Sequence, residues 1–68
     1  MDFQLKHEFI ELDNLLKTMD IVNSGAEAKR HILGGAVKVN GEVEPRVRRK
    51  LRVGDAVEFG GHRIGIVA

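Results

Sequence analysis

The dipeptide Asn40-Gly41 constrains the fold of this chain more than any other feature. It separates residues 37–39 from residues 42–44, two segments in which apolar and polar side chains alternate. Asn-Gly is the preferred pair for a two-residue type I′ turn, in which both residues take positive φ. The sequence therefore predicts an antiparallel hairpin, with Lys38 on its exposed face.

A helix is predicted directly before this hairpin. Ser24 is a strong N-cap, and Glu27 three residues later completes the S-x-x-E capping box. Gly34-Gly35 ends the helix because glycine takes the left-handed conformation at little cost. We expect the following residues to face the core: Ala26, Ala28, Ile32 and Leu33.

Apolar residues also recur at helical spacing earlier in the chain, at Leu12, Leu15, Leu16 and Met19. This i, i+3, i+4, i+7 pattern predicts a first helix. Asp13 or Glu11 can serve the start of this helix, and Asp13 is the better N-cap candidate. We expect the helix to end near Asp20 and to be followed by core residues at Ile21 and Val22.

Short strands are predicted at residues 3–5, 56–59 and 63–67, with tight turns at Gly54-Asp55 and Gly60-Gly61. After Pro45, the residues expected to be buried are Val47, Leu51 and Val53. The chain is therefore expected to form one domain, residues 1–68, of the α+β class. Its two short helices would pack on a small, mostly antiparallel sheet.

Positive charge is concentrated in the middle of the chain. Residues 24–52 carry a net charge of +5, whereas residues 1–23 carry −3 and residues 53–68 carry −1. The central cations are Lys29, Arg30, Lys38, Arg46, Arg48, Arg49, Lys50 and Arg52. This asymmetry is typical of a face that binds a polyanion, although a solvated basic face without a partner would have the same composition.

The predicted start of the second helix suits a phosphate, because its free amides and partial positive charge favour an anion. Gly25 leaves those amides sterically open, and Lys29 and Arg30 lie one turn further on. No aromatic residue lies between Ser24 and Arg52, so stacking on unpaired bases has no evident platform there. The sequence therefore favours recognition of the backbone and shape of structured RNA.

Catalysis and metal binding are not indicated. The chain has no cysteine, and its three histidines are scattered. Ser24 lacks the histidine and carboxylate partners that acyl-transfer catalysis needs. Glu42 and Glu44 fall on one strand face, and we expect them to be solvated at a strand edge rather than to act as an acid/base pair. We therefore expect a non-enzyme without cofactor, metal or small-molecule substrate. The N-terminus is polar and the apolar runs are short, which favours a cytoplasmic protein without membrane contact.

The order of these elements resembles the ribosomal protein S-four type RNA-binding domain, also called the alpha-L motif. The resemblance covers roughly residues 10–59. It rests on Leu12-Asp13 and Leu16, then Ser24, Ala28, Ile32, Gly35, Val37, Val39 and Asn40-Gly41, then Gly54-Asp55. The small size and the Ser-Gly-Ala-x-Ala-Lys helix start are similar to the stand-alone bacterial YbcJ-like proteins of that superfamily.

The resemblance implies binding of RNA, and ribosomal RNA and tRNA are the candidate partners. We expect a monomer because nothing in the sequence demands a dimer. The resemblance places the contacts on the second helix, the hairpin and the basic run, at Ser24, Gly25, Ala26, Lys29, Arg30, Lys38, Asn40, Arg46, Arg48, Arg49 and Lys50. The chain departs from the family pattern at two positions. Many members have arginine where this chain has Gly25, and many have a basic residue where it has Glu11.

Two other functions are compatible with parts of the sequence. Residues 39–45 and 51–58 resemble the later half of β-grasp sulfur carriers. Those proteins need a C-terminal Gly-Gly, whereas Gly60-Gly61 is internal here. The third possibility is a protein-interaction module whose basic face binds an acidic partner.

Overall fold

The structure, a computed structural model, describes residues 1–68. It contains two helices, α1 (Leu12–Thr18) and α2 (Gly25–Leu33), and seven strands. The strands are β1 (Asp2–Gln4), β2 (Ile10–Glu11), β3 (Lys38–Val39), β4 (Glu42–Val43), β5 (Lys50–Leu51), β6 (Ala56–Phe59) and β7 (His62–Val67). Neither helix has the length and hydrophobicity needed to cross a bilayer.

The strands form two sheets. The larger has the order β1-β7-β6-β3-β4, in which β1 runs parallel to β7 and every other neighbouring pair is antiparallel. The smaller is an antiparallel ribbon of β2 and β5. The predicted α+β class, with two helices and a mostly antiparallel sheet, is confirmed.

The core lies between the helices and the inner face of the larger sheet. It consists of twelve buried apolar residues: Leu12, Leu15, Leu16, Val22, Ala28, Ile32, Val37, Val39, Leu51, Val57, Ile64 and Ile66. Helices α1 and α2 pack directly against each other. Ala28 is fully buried, as expected for a core-facing residue of the second helix.

The predicted β3–β4 hairpin is confirmed. Asn40 has φ 53° and Gly41 has φ 86°, as a type I′ turn requires. The Asn40 side chain also accepts from the Ala56 N–H (2.9 Å) and donates to Asp55 Oδ1 (3.0 Å). These two bonds fix the hairpin to the turn before β6.

Asp55 is the second anchor of that turn, because its Oδ2 accepts the Arg52 backbone N–H at 2.8 Å. Partial burial works to raise the pKa of Asp55. Its hydrogen bonds from Arg52 and Asn40, together with the positive charges of Arg49 and Arg52, outweigh burial and lower the pKa below its ordinary value. The chain segment that leads from β5 to β6 is therefore held by an ionised carboxylate.

The preference for Asp13 over Glu11 as the N-cap of α1 is wrong. Asp13 lies inside the first turn, and Glu11 occupies the N-cap without a side-chain hydrogen bond. The free amides at this helix start are satisfied by carbonyls of a distant segment: Leu12 donates to Arg49 O (2.9 Å) and Asp13 donates to Val47 O (3.1 Å). A helix whose first amides have such partners needs no side-chain cap.

Three residues expected in the core are exposed: Ala26, Leu33 and Val53. The buried face of α2 consists of Ala28 and Ile32, which are four residues apart. Ala26 and Leu33 do not share this helical spacing, so their side chains lie on the solvent-exposed side. Val53 lies in the turn after β5, where strand alternation no longer applies. Helix α1 also ends at Thr18, two residues before the predicted end.

Candidate nucleic-acid interface

The segment from Glu44 to Arg52, called here the basic loop, joins the hairpin to the turn before β6. Strand β4 ends at Val43, and the Glu44 N–H still donates to Val37 O at 3.0 Å. Pro45 follows and has no amide hydrogen to continue the pairing. The chain then forms a tight turn closed by the Arg49 N–H bond to Arg46 O at 3.3 Å. This turn places Arg48 near its tip, exposed to solvent.

Glu44, the first residue of the basic loop, holds the loop together through its side chain. Its carboxylate accepts four hydrogen bonds: from the backbone N–H of Arg46 (3.0 Å), from Arg46 Nε (3.0 Å) and Nη2 (3.2 Å), and from Arg49 Nη1 (2.6 Å). Only 3% of Glu44 is exposed. The expectation that Glu44 is solvated at a strand edge is therefore wrong, because two arginines that follow it in the chain fold back over it.

These contacts keep Glu44 ionised. The hydrogen bonds from Arg46 lower the pKa of Glu44 to about 2, against the opposing effect of burial and with further help from Arg49. Arg46 still exposes 69% of its side chain and Arg49 exposes 28%. Both guanidinium groups are therefore held in place and remain reachable from solvent.

Five cationic side chains line one groove on this loop, called here the basic groove. Its volume is about 570 Å³, and no apolar residue lines it. The lining residues are Arg46, Arg48, Arg49, Lys50 and Arg52. The structure thus brings together the four predicted site residues of the basic run. It adds Arg52, which the continued run of cations after Lys50 could have indicated.

The predicted residues on α2 form a separate set, since none of them lines the basic groove. Ser24 is the N-cap, and its Oγ accepts the Glu27 N–H at 3.1 Å. The other half of the predicted capping box is shifted, because the Glu27 carboxylate accepts from Asn23 (3.4 Å). Nothing lies within 4 Å of a Cβ added at Gly25, so the start of α2 is open. Ala26, Lys29 and Arg30 are exposed.

The two predicted hairpin residues also lie outside the basic groove. Lys38 is exposed and stands opposite Glu58 and Val43 on neighbouring strands. Asn40 lines a groove beside the basic groove, and the two grooves share Arg46 and Arg49. Its side-chain amide is already bonded to the turn before β6.

One aromatic ring reaches the basic residues from another part of the chain. The ring centroid of Phe9 lies 5.0 Å from Lys50 Nζ and 5.9 Å from Arg52 Cζ. Phe9 directly precedes β2, and β2 pairs with β5. The sequence did not predict this contact, because Phe9 lies outside the segment from Ser24 to Arg52 and only the pairing of β2 with β5 brings it close.

An α+β fold with a groove lined only by cations is typical of a small nucleic-acid-binding domain. The chain belongs to the S4 domain family, whose model matches residues 3–67. This result supports RNA binding and a non-catalytic family, and gives no support to the sulfur-carrier alternative.

Named relatives agree with this assignment. The chain is 48% identical to YbcJ of Escherichia coli (strain K12) over 63 residues, which cover 93% of this chain and 90% of YbcJ. It is 44% identical over 54 residues to a Bacillus subtilis (strain 168) protein named "Probable ribosome maturation protein RlbA", covering 79% of this chain and 76% of that one.

A solved structure shows the same fold. The solution structure of E. coli YbcJ superposes with a TM-score of 0.75 at 47% identity, over 98% of this chain and 86% of YbcJ. That structure is described as revealing an alpha-L motif involved in RNA binding. The alpha-L fold expected from the sequence is therefore confirmed.

Proposed function

We propose that this protein is a non-catalytic RNA-binding protein that contacts structured RNA mainly through phosphates. The observation that carries the proposal is the basic groove, in which five cations and no apolar residue line a volume of about 570 Å³. Arginine suits phosphate because its planar fork can bond two oxygens at once. With Glu44 counted against the five cations, the loop offers a net charge of about +4 to an RNA backbone.

A second set of phosphate contacts is proposed on α2 and the hairpin. The open amides around Gly25 and the partial positive charge of the helix start favour an anion there. Lys29 and Arg30 are exposed on the same helix, and Ser24 and Ala26 flank Gly25. Lys38 would extend the contact on the hairpin, while Asn40 would act mainly by holding the turn.

The proposed partner is ribosomal RNA. This choice is supported by the name of the B. subtilis relative, which refers to ribosome maturation. We propose that residues 1–68 act as a single domain and as a monomer in the bacterial cytoplasm. A tRNA partner would instead be indicated if crosslinking in cells, followed by sequencing of the bound RNA, recovered mainly tRNA.

The phosphate mechanism predicts strong salt dependence. Each neutralised phosphate releases condensed counterions, so about four contacts should weaken binding by about 100-fold between about 50 and about 200 mM salt. The measurement is a titration of a structured ribosomal RNA fragment by fluorescence anisotropy across that range. An affinity that does not change with salt would contradict phosphate contact, whatever its absolute value.

Glu11 is expected to weaken RNA binding, because it stands directly opposite Lys50 in the β2–β5 ribbon. Glu11→Gln should tighten binding by about threefold at low salt, since one repulsive charge near the groove is removed. The helix should tolerate the change, because the Glu11 side chain makes no capping bond. Asp20→Asn removes the same charge at an exposed position and keeps a residue type that tolerates the positive φ of 61° there, so it is the control and should leave affinity unaltered. Equal affinities of wild type and Glu11→Gln would contradict the prediction.

A further inference from the structure

A third groove, apart from the two that share Arg46 and Arg49, differs from them in character. It has a volume of about 580 Å³ and is lined by β1, the β1–β2 connection, β2 and Asn14 in the first turn of α1. Its apolar lining is Phe3, Leu5, Phe9 and Ile10, and its polar lining includes Gln4 and His7. We call it the Phe9 groove.

The β2–β5 ribbon joins the Phe9 groove to the basic groove. Glu11 pairs with Lys50 and Ile10 with Leu51, so continuing this register sets Phe9 opposite Arg52. Because side chains alternate along a strand, Phe9, Lys50 and Arg52 emerge on one face while Leu51 is buried on the other. The 5.0 Å and 5.9 Å contacts of the two cations with the Phe9 ring agree with this arrangement. Lys50 and Arg52 therefore belong to the basic groove and also touch the wall of the Phe9 groove.

We propose that the Phe9 groove binds an unpaired RNA base whose flanking phosphates lie on Lys50 and Arg52. This inference rests on the function proposed above and adds a substrate feature to it: a bulged or looped-out nucleotide within structured RNA. A nucleotide combines an apolar ring face with an anionic phosphate. The Phe9 ring would contact the base, and Lys50 and Arg52 beside it would contact the phosphates.

The chemistry of the groove suits a base. Stacking on an aromatic ring stabilises an unpaired base, and it tolerates any sequence because every base has a π-face. Phe9 is only half-buried, so part of its ring is available. The volume lies within the range of about 300–1,000 Å³ that accommodates small organic ligands. Gln4 and His7 supply donors and acceptors for the polar edge of the base.

The test compares two RNA probes, a short fully paired duplex and the same duplex with one bulged uridine. The wild-type protein should bind the bulged duplex about tenfold more tightly, as expected for stacking of one base. Phe9→Leu keeps an apolar side chain but removes the π-face, so the ratio of the two affinities should fall to about one. Phe9→Tyr retains the ring and should retain the preference.

Arg48→Glu separates this inference from the phosphate mechanism. It should weaken binding of both probes while leaving their ratio near tenfold, because Arg48 lines the basic groove only. Equal wild-type affinities for the two probes, or a preference that survives in Phe9→Leu, would overturn the base site and leave the proposed function intact. Failure of the wild-type protein to bind either probe at low salt would overturn both.

A crosslinking measurement on the unaltered protein provides a second readout. With 4-thiouridine at the bulge, the crosslinked peptide should fall within residues 3–14, the segment that contains every residue lining the Phe9 groove. Crosslinks confined to the basic loop would place the base elsewhere and overturn the inference.

Discussion

Glu44→Gln is expected to lower the free energy of unfolding by about 2 kcal/mol near neutral pH. The shift of the Glu44 pKa from 4.5 to about 2 corresponds to about 3 kcal/mol in favour of the ionised side chain. The solvent exposure of Arg46 reduces this figure. For a domain of this size, a loss of about 2 kcal/mol lowers the Tm by about 10 °C. Urea or thermal unfolding followed by circular dichroism measures the effect.

The same pKa shift fixes the pH dependence of this contribution. The folded-state pKa is below the unfolded value, so the stabilisation is fully present above pH 4.5 and is lost as pH falls toward about 2. The difference in stability between wild type and Glu44→Gln should therefore shrink over that window. Subtracting the two curves removes the contribution of the other carboxylates.

Glu42→Gln is the matched control, because Glu42 lies two residues earlier on the same short segment and is exposed, without a salt bridge. It should change stability by about 0.5 kcal/mol or less. Equal stabilities of the Glu44 and Glu42 variants would show that the ion cluster under the basic loop contributes nothing to folding.

Combined charge reversal, Lys29→Glu with Arg48→Glu, is expected to reduce affinity for structured RNA by about 100-fold at about 100 mM salt. Each reversal removes a phosphate contact and adds a repulsive charge. Both side chains are exposed and neither forms a salt bridge, so the fold should be retained. The two single variants, measured by the same anisotropy titration, divide the loss between α2 and the basic groove.

Lys17→Glu is the control for each single variant, because it makes the same change in net charge at an exposed position that lines none of the grooves. It should reduce affinity by about threefold at most, since screening limits the effect of distant charges. A loss equal to that of Lys29→Glu alone or of Arg48→Glu alone would show that net charge, and not a particular surface, governs binding. Unchanged affinity in the double variant, Lys29→Glu with Arg48→Glu, would contradict the proposed contacts directly.

The sequence predicted the parts of the fold that depend on local signals. Asn40-Gly41 specifies its turn through the positive φ of two adjacent residues, and Gly60-Gly61 does the same at the β6–β7 turn. The Ser24 cap and the Gly34-Gly35 stop likewise bound α2 through interactions within a few residues. Each of these features can therefore be predicted from a few consecutive residues.

The candidate site was predictable in composition but not in arrangement. The burial of Glu44 depends on two arginines that fold back across a turn. The position of Phe9 depends on the pairing of β2 with β5, strands far apart in sequence. The missing side-chain cap of α1 has the same origin, because its amides bond to carbonyls of the basic loop. Hydrophobic periodicity carries no information about such long-range partners.

The bonds from the α1 amides of Leu12 and Asp13 to the carbonyls of Arg49 and Val47 also bear on the entropy of binding. A mobile basic loop would lose backbone freedom when it closes on a ligand, at about 1–2 kcal/mol for each residue that becomes fixed. Here that ordering occurs when the protein folds, and only the outer side-chain atoms remain to be immobilised. The loop is thus preorganised, and a larger share of its electrostatic attraction is available as affinity.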